Sequence, residues 1–485
     1  MGEIATRDRV LSEVKLERST KDFLSFLVKQ LKKNLRGIEG ILEVSYDGEP
    51  GILVMGRDRG RRFEVLVVAT PRPYYRVRVS GPAADDEARK LAFFVEKLIH
   101  MFAVKGDKGT VYFVLVPGLS LVPAKTESRA IKFFRKMFLG NMVFLFALSI
   151  AISYVVYTLL GPALTPITLV IMQVPLVLLS PYLVAAVMGD WRLDSSRSMV
   201  YIVGVSLPLE TYRKLLPRVF VPRRYEIKRR LYEAVVFKEE VDEAYVKALL
   251  AEYGLDPNDY DLEIRRIDLY NLVKRVASKF RIGVPRVYLS NIIVPNAAAT
   301  GVAPFRTAVV ITTGLLVRLN EEELKAVVGH EISHIRNKDV LLLFLLGAIE
   351  YLTRFYVLMY LWPFMPPPLA FAYMYFSLTL FFYMAKLIEA RADLEAAKYL
   401  RSASPLASAL RKLALTRIAF ERTTLGRIVS WLAWRPHPPT AFRVGVLGRL
   451  SGAEGEIRSP WALAVKLSIK DFFASLTGRC DWLGV

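Results

Sequence analysis

Val327-Val328-Gly329-His330-Glu331-Ile332-Ser333-His334-Ile335 is the stretch on which the reading of this chain turns. Its centre is an H-E-x-x-H pattern. The residues around it predict a helix. Asn320 is a good N-cap, and Glu323, three places on, completes a capping-box pattern. Glu321, Glu322 and Glu323 suit the positive end of the helix dipole. Leu324, Val327, Val328, Ile332 and Ile335 recur at helical spacing. Side chains four apart on a helix stand one above the other, so His330 and His334 can offer two imidazoles to one ion. Glu331 flanks that face, where a carboxylate can hold a water and act as a base. Nitrogen donors, an open coordination position and an adjacent carboxylate are what a hydrolytic zinc ion needs. Two ordinary half-buried histidines are the bland alternative, and the rest of the chain weighs against it.

The chain has 485 residues, room for two or three domains. It is 53% hydrophobic, with a mean hydropathy of +0.31, too apolar for an ordinary soluble protein. One cysteine, Cys480, excludes an internal disulfide framework and a cysteine zinc site. The N-terminus is polar and shows no signal-peptide pattern. A net charge of +21 would point to nucleic acid in a soluble protein. Here the basic runs border apolar segments, so topology and anionic headgroups account for them better. No nucleic-acid partner is expected.

Residues 1–130 read as a soluble cytoplasmic α+β domain. Helices are expected at 21–35 and 83–104, and strands at 38–46, 51–55, 62–70, 74–80 and 110–116. Tyr75-Arg76-Val77-Arg78-Val79 alternates as a half-buried strand does. This part shows no catalytic constellation, and the lone His100 reads as structural. A basic run at 125–136 then abuts an uncharged segment at 137–160, and a second follows at 167–188. Together, 137–188 reads as a transmembrane hairpin with both flanks on the cytoplasmic side. Met199 to Ser206 reads as a strand, 225–253 as a long helix or pair, and 261–280 as one amphipathic helix. Strand-like 286–290 and 307–312 bracket Val294 to Gly301 and precede the motif helix. An apolar run at 340–362 contains Glu350 and Arg354, which can pair at i, i+4. The run at 369–385 makes a fourth segment. The division expected is therefore 1–130, 137–188, 190–339, 340–385, 386–458 and a C-terminal 459–485.

Two histidines leave a catalytic zinc one protein ligand short. Past the fourth segment, Glu389 and Asp393 stand four apart on a predicted helix. Glu389 suits the third ligand, and Asp393 suits the acceptor that fixes a ligand histidine's tautomer. The alternative is two surface carboxylates on a charged helix, with Arg391 and Glu395 as similar neighbours. His437 lies in a proline-rich turn before a helix capped by Thr440. It is either structural or a donor to a developing oxyanion.

From Ile267 to Leu450 the chain resembles the HtpX-like membrane zinc metalloproteases, relatives of the CAAX prenyl endopeptidases. The resemblance is carried by Pro295-Asn296-Ala297-Ala298-Ala299-Thr300-Gly301, Thr313-Gly314-Leu315-Leu316, the 330–334 motif, Glu389 with Asp393, and His437-Pro438-Pro439-Thr440 followed by Arg443. Ala298 stands where that family commonly carries an aromatic residue. The resemblance implies a mainly helical, gluzincin-like zinc protease domain with a small edge-strand sheet. It implies Glu389 as third ligand and Asp393 in support. Asn296 and Ala297 would lie on an edge strand that pairs with substrate backbone, and His437 and Arg443 would face the substrate carbonyl and the catalytic glutamate side, with Arg443 counted among the substrate-binding residues.

The expectation is an α+β membrane protein with four transmembrane helices and one zinc ion per chain. His334 precedes residue 340 by under two helical turns, which puts the ion within ~10 Å of the membrane boundary at 1.5 Å per residue. The expected partners are the lipid bilayer and a polypeptide substrate. The expected reaction is zinc-dependent hydrolysis of membrane-associated or misfolded polypeptides at the cytoplasmic face of the cell membrane. Two other readings are a prenyl-peptide endoprotease and a membrane adaptor that keeps a silent zinc site.

Overall fold

The structure, a computed structural model, describes residues 4–11, 20–58, 60–82, 84–105, 108–121, 142–238, 242–303, 306–421 and 424–477. The basic run at 125–136, the start of the first apolar segment and Cys480 lie outside these. The chain divides into two compact units, one built mainly on residues 1–110 and one containing the motif.

The first unit is a five-stranded antiparallel sheet in the order β1-β5-β4-β3-β2. Its strands are β1 (Ile4–Val10), β2 (Ile38–Tyr46), β3 (Glu49–Asp58), β4 (Arg61–Val68) and β5 (Tyr74–Ser80). The alternation in β5 settles which face is covered. Tyr75, Val77 and Val79 are buried and form one core with Phe23, Leu27 and Leu31 of the helix Thr20–Asn34 and with Val95, Leu98 and Ile99 of the helix Ala84–Lys105. Sequence reasoning missed β1, whose Ile4-Ala-Thr-Arg-Asp-Arg-Val10 is too polar to stand out; it forms by pairing along the whole length of β5. The side chain of His100 lies outside the described residues.

In the second unit, β6 (Lys108–Leu115), β8 (Met199–Pro208) and β9 (Asp261–Asp268) make a three-stranded sheet in the order β6-β8-β9. The strand expected at 110–116 thus pairs here. The helix expected over 261–280 is corrected. Its first half is β9, which pairs with β8 from Asp261 to Asp268, and only Leu269–Lys279 is helical, with Asp268 as its N-cap. Leu262, Ile264 and Ile267 fit a helical spacing as well as a strand, and the partner strand decides between them. A second sheet runs β11-β12-β10-β7: β7 (Trp191–Leu193), β10 (Arg286–Ser290), β11 (Ala297–Ala303) and β12 (Arg306–Thr312). β10 and β12 are parallel, and β11 pairs antiparallel with β12 and forms the edge.

The motif helix, Glu321–Arg336, carries the capping box expected of Asn320 and Glu323. Asn320 Oδ1 accepts from the Glu323 N–H at 2.8 Å, and the Asn320 N–H donates to Glu323 Oε2 at 3.0 Å. Its Leu324, Val328 and Ile332 pack into the core shared with Leu272 and Val276 and with Val309 and Ile311 of β12. The helix is therefore clamped between a sheet and a second helix before it presents any histidine.

Among the described residues three helical stretches are long and apolar enough to cross a membrane: Leu148–Met188, Asp339–Phe364 and Pro367–Leu400. Four were expected. The first two predicted segments form one stretch, with Gly161 in a left-handed, non-helical conformation (φ 72°) at the residue that separated them in the sequence. The helix Asp339–Leu361 contains the anticipated pair: Arg354 Nε donates to Glu350 Oε1 at 2.6 Å, and Ser377 of the next helix donates to the same oxygen at 2.8 Å. Such pairing lowers the cost of a charge in an apolar helix. The helix Pro367–Leu400, here the ligand helix, is apolar in its first half. In its second half it buries Lys386, Arg391, Asp393 and Glu395.

Candidate metal centre

The motif helix and the ligand helix cross where Gly329 meets Leu400 and Ala396. A Cβ on Gly329 would lie 2.3 Å from a Leu400 methyl carbon and 3.6 Å from Ala396 Cβ, so the glycine permits the approach. The next residue, His330, thereby meets the ligand helix at Glu389. His330 Nε2 and His334 Nε2 stand 3.2 Å apart. Glu389 Oε2 is 3.4 Å from His330 Nε2, and its Oε1 is 3.6 Å from His334 Nε2. These three residues can offer their donors to one ion. The fit can be tested by arithmetic. Zinc bonds of 2.0–2.1 Å in a tetrahedron place neighbouring donors ~3.3 Å apart. The three separations lie near that value, with Glu389 Oε2 beside one imidazole and Oε1 beside the other, so two nitrogens and one carboxylate of the right chemistry are gathered around a single point.

Both histidines show Nε2 to this point because their other nitrogens are held. His334 Nδ1 lies 2.7 Å from Asp339 Oδ2. His330 Nδ1 lies 2.9 Å from Asp393 Oδ1, a charge contact whose alignment falls short of a well-formed hydrogen bond. Each carboxylate is gripped in turn by an arginine. Arg443 forks onto Asp393 with Nε at 2.6 Å and the other nitrogen at 2.7 Å, and Arg391 donates to Asp339. Two histidine–carboxylate–arginine chains thus orient the two ligands, and both arginines are buried. Carboxylates behind metal-bound histidines raise their basicity and fix their tautomer.

Burial disfavours the charged form of His330, but the Asp393 and Glu389 carboxylates beside it more than offset this. In the metal-free site its pKa is pushed up to about 10. A metal must displace that proton.

Every residue expected on these helices reaches this point, with the exceptions of emphasis that follow. Glu331 is half-buried, and among the described residues its carboxylate has no protein hydrogen-bond partner. His437 sits at the open rim, its side chain 48% exposed, with Nδ1 2.8 Å from Glu389 Oε2. The turn carrying it is pinned to the ligand helix twice more. Buried Lys386 donates to the Ala433 carbonyl at 2.7 Å, and the Trp434 indole donates to Thr379 Oγ1 at 3.1 Å. Asn296 and Ala297 lie at the start of the edge strand, beside the motif helix. The Asn296 N–H donates to Thr312 Oγ1 at 2.9 Å, and its carbonyl accepts from the Thr312 N–H at 3.0 Å. Arg443, expected to face substrate, instead spends its guanidinium on Asp393 behind His330. Asp339 and Arg391 were not anticipated as parts of the site. Arg391 looked like a neighbour on a charged surface, whereas it is 1% exposed.

Residues 263–450 match peptidase family M48. Over this segment the chain is similar to the M48 peptidases. The segment covers the motif helix, the ligand helix and the His437 turn together. The chain is 39% identical over 112 residues to a protease HtpX homolog of Thermodesulfovibrio yellowstonii, covering 22% of this chain and 39% of that protein. It is 49% identical over 73 residues to one of Pediococcus pentosaceus, covering 15% and 24%. Over 81 residues it is 47% identical to one of Thermoanaerobacter pseudethanolicus, covering 17% and 27%. The chain therefore spans well under half the length of these relatives. The β1–β5 unit lies outside the segment that matches the family.

Proposed function

We propose that the chain is a zinc-dependent endopeptidase that cuts membrane-associated or misfolded polypeptides at the cytoplasmic face of a membrane. The observation that carries this reading is the convergence of His330, His334 and Glu389 on one point, with Glu331 beside it. A zinc ion held by those three residues supplies a Lewis acid that makes a water acidic enough to attack near neutral pH. Glu331 takes the proton from the attacking water and passes it to the leaving amine. His437 is exposed at the rim, free to turn from Glu389 toward a developing oxyanion and donate to it. The β11 edge, starting at Asn296 and Ala297, offers backbone groups to an extended substrate strand, the way edge strands take up peptides. Asp393 and Arg443 act as positioning residues for His330.

The same reading places the M48 domain against a bilayer. Asp339 opens one apolar helix, and Glu389 lies one turn beyond the apolar half of another. The stretch 142–188 is about 70 Å long if straight, at 1.5 Å per residue, more than twice the apolar thickness of a bilayer. A turn at Gly161 makes it a hairpin, gives four crossings, and puts the Arg- and Lys-rich flanks on the side of the metal centre. The segments 190–339 and 386–458 then form one cytoplasmic protease domain, and 1–130 a second cytoplasmic domain.

The test is zinc content and casein cleavage by the detergent-purified full chain and by Glu331→Gln. Zinc should be present in both. Cleavage should occur in the wild type and fall at least ~10²-fold in the variant, the contribution of a general base. Retained cleavage by Glu331→Gln would remove that role. Zinc in both with cleavage in neither would favour the adaptor reading.

A further inference from the structure

The helix Pro460–Leu476 is amphipathic in the opposite sense to a helix lying on a water-facing surface. Its buried residues are Ala464, Ser468, Asp471 and Ser475. Their spacing of four, three and four puts them on one face. Ile469, Phe473 and Leu476, at the same kind of spacing, are 43%, 59% and 48% exposed. Small and polar groups, flanked by Leu463, Leu467 and Phe472, face the protein, while Ile469, Phe473 and Leu476 face out.

Two of the inward polar residues are bonded within the protein. The Trp431 indole N–H donates to Asp471 Oδ2 at 2.8 Å. Ser475 Oγ donates to the Asp471 carbonyl one turn back at 2.6 Å. Ser468 Oγ is buried with no hydrogen-bond partner among the described residues.

Position along the ligand helix says what the outer face meets. The two helices run antiparallel. At one end the Trp461 ring lies 5.0 Å from the Arg391 guanidinium, at the level of the metal centre. At the other, the Phe472 ring lies 6.2 Å from that of Tyr383, inside the apolar half of a candidate membrane span. Phe473 and Leu476 continue in the same direction. Lys466, exposed, lies nearer the Trp461 end, and Lys470, also exposed, directly follows Ile469. Past Lys470 the exposed residues of the helix are Phe473 and Leu476.

We propose that the Phe473 end of this helix is inserted in the leaflet on the metal-centre side. Ile469, Phe473 and Leu476 sit among acyl chains, Lys466 stands at the level of anionic headgroups, and Lys470, one residue past Ile469, reaches back to that level as snorkelling lysines do. At 17 residues the helix is about 25 Å long and too short to cross, so it dips in alongside the span it packs on.

The test is nitroxide accessibility in the full chain. Single cysteines replace Lys466, Ile469, Phe473 and, as a reference in the exposed apolar half of the ligand helix, Leu380, all in a Cys480→Ser background. Each variant is checked for wild-type zinc content and reconstituted in vesicles of phosphatidylethanolamine and phosphatidylglycerol. Labels at Ile469 and Phe473 should relax strongly with oxygen and weakly with a water-soluble nickel chelate, as at Leu380, and the label at Lys466 should show the reverse order. Strong relaxation by the nickel chelate at Ile469 and Phe473, with Leu380 still lipid-exposed, would overturn the proposal while leaving the spans in place. Protection from both relaxants with spin–spin broadening would also overturn it, in favour of a second copy of the chain covering this face.

Discussion

Asp339 makes the sharpest prediction. It is 1% exposed, 2.7 Å from His334 Nδ1 and bonded to Arg391, which is equally buried. Replacing it acts on two quantities of different size. Asp339→Asn keeps an acceptor for the His334 N–H but removes the negative charge that makes Nε2 a better donor. Changes behind a metal-bound histidine cost 10- to 100-fold in affinity, or about 1.4–2.7 kcal/mol at 1.4 kcal/mol per factor of ten. Both variants take the counter-charge from Arg391, whose remaining carboxylate, Glu395, is 4.0 Å away, and Asp339→Ala also removes its hydrogen-bond acceptor. Breaking a buried pair from one side costs about 3–5 kcal/mol. Both variants should thus lose zinc affinity and melt lower, the alanine variant by the larger amount. Competition against a fluorescent chelator at fixed pH, beside thermal melts of the apo protein, separates the two. Wild-type zinc affinity in Asp339→Asn would refute the orienting role, and an unchanged melt in Asp339→Ala would refute the buried-charge argument.

Two further outcomes follow from the same geometry. In the metal-free chain the pKa of His330 is raised above its ordinary 6.5 to about 10, so the folded state holds that proton more tightly than the unfolded one. The stability it contributes is fully present below pH 6.5 and is lost as pH rises toward 10. At pH 8, zinc binding should expel about one proton, read as a dependence of the calorimetric enthalpy on buffer ionisation heat; zinc uptake with no proton release would contradict it. Gly314→Ala would place a Cβ 2.0 Å from the Ile293 carbonyl oxygen, a backbone atom. The 292–296 segment leading into β11 must then move, so zinc content should hold while kcat/KM for casein falls at least tenfold, and an unchanged kcat/KM would remove β11 from the substrate path.

Much of the metal centre was legible in the sequence because helices write their geometry at fixed intervals. Four-residue spacing placed His330 over His334 and Glu389 over Asp393, and the Glu350–Arg354 pair was readable by the same rule. Asp339 was not, because a break intervenes. The motif helix ends at Arg336, and Lys338 adopts a left-handed conformation (φ 54°, ψ 43°), so no helical interval relates His334 to Asp339. The available signal was chemical: an aspartate opening a long apolar run is costly unless something holds it. Arg391 was misread because its neighbours Glu389, Asp393 and Glu395 make the segment look like a solvated face. Only the packing of several helices around it reveals that the charges point inward and cancel. β9 and β1 were missed for a related reason, since a strand's partner lies elsewhere in the chain.

The left-handed residue Lys338 also has a mechanical meaning. It uncouples the axis of the motif helix from that of the Asp339–Leu361 helix, while the Asp339 side chain reaches back across the joint to His334. A rod of 23 residues, about 35 Å long, is thus tied to His334 through its first residue. A displacement of that end by ~1 Å stretches a 2.7 Å bond beyond hydrogen-bonding range. The joint works like a latch. Whatever sets the angle of the rod also sets whether one of the two candidate ligand imidazoles is held on target.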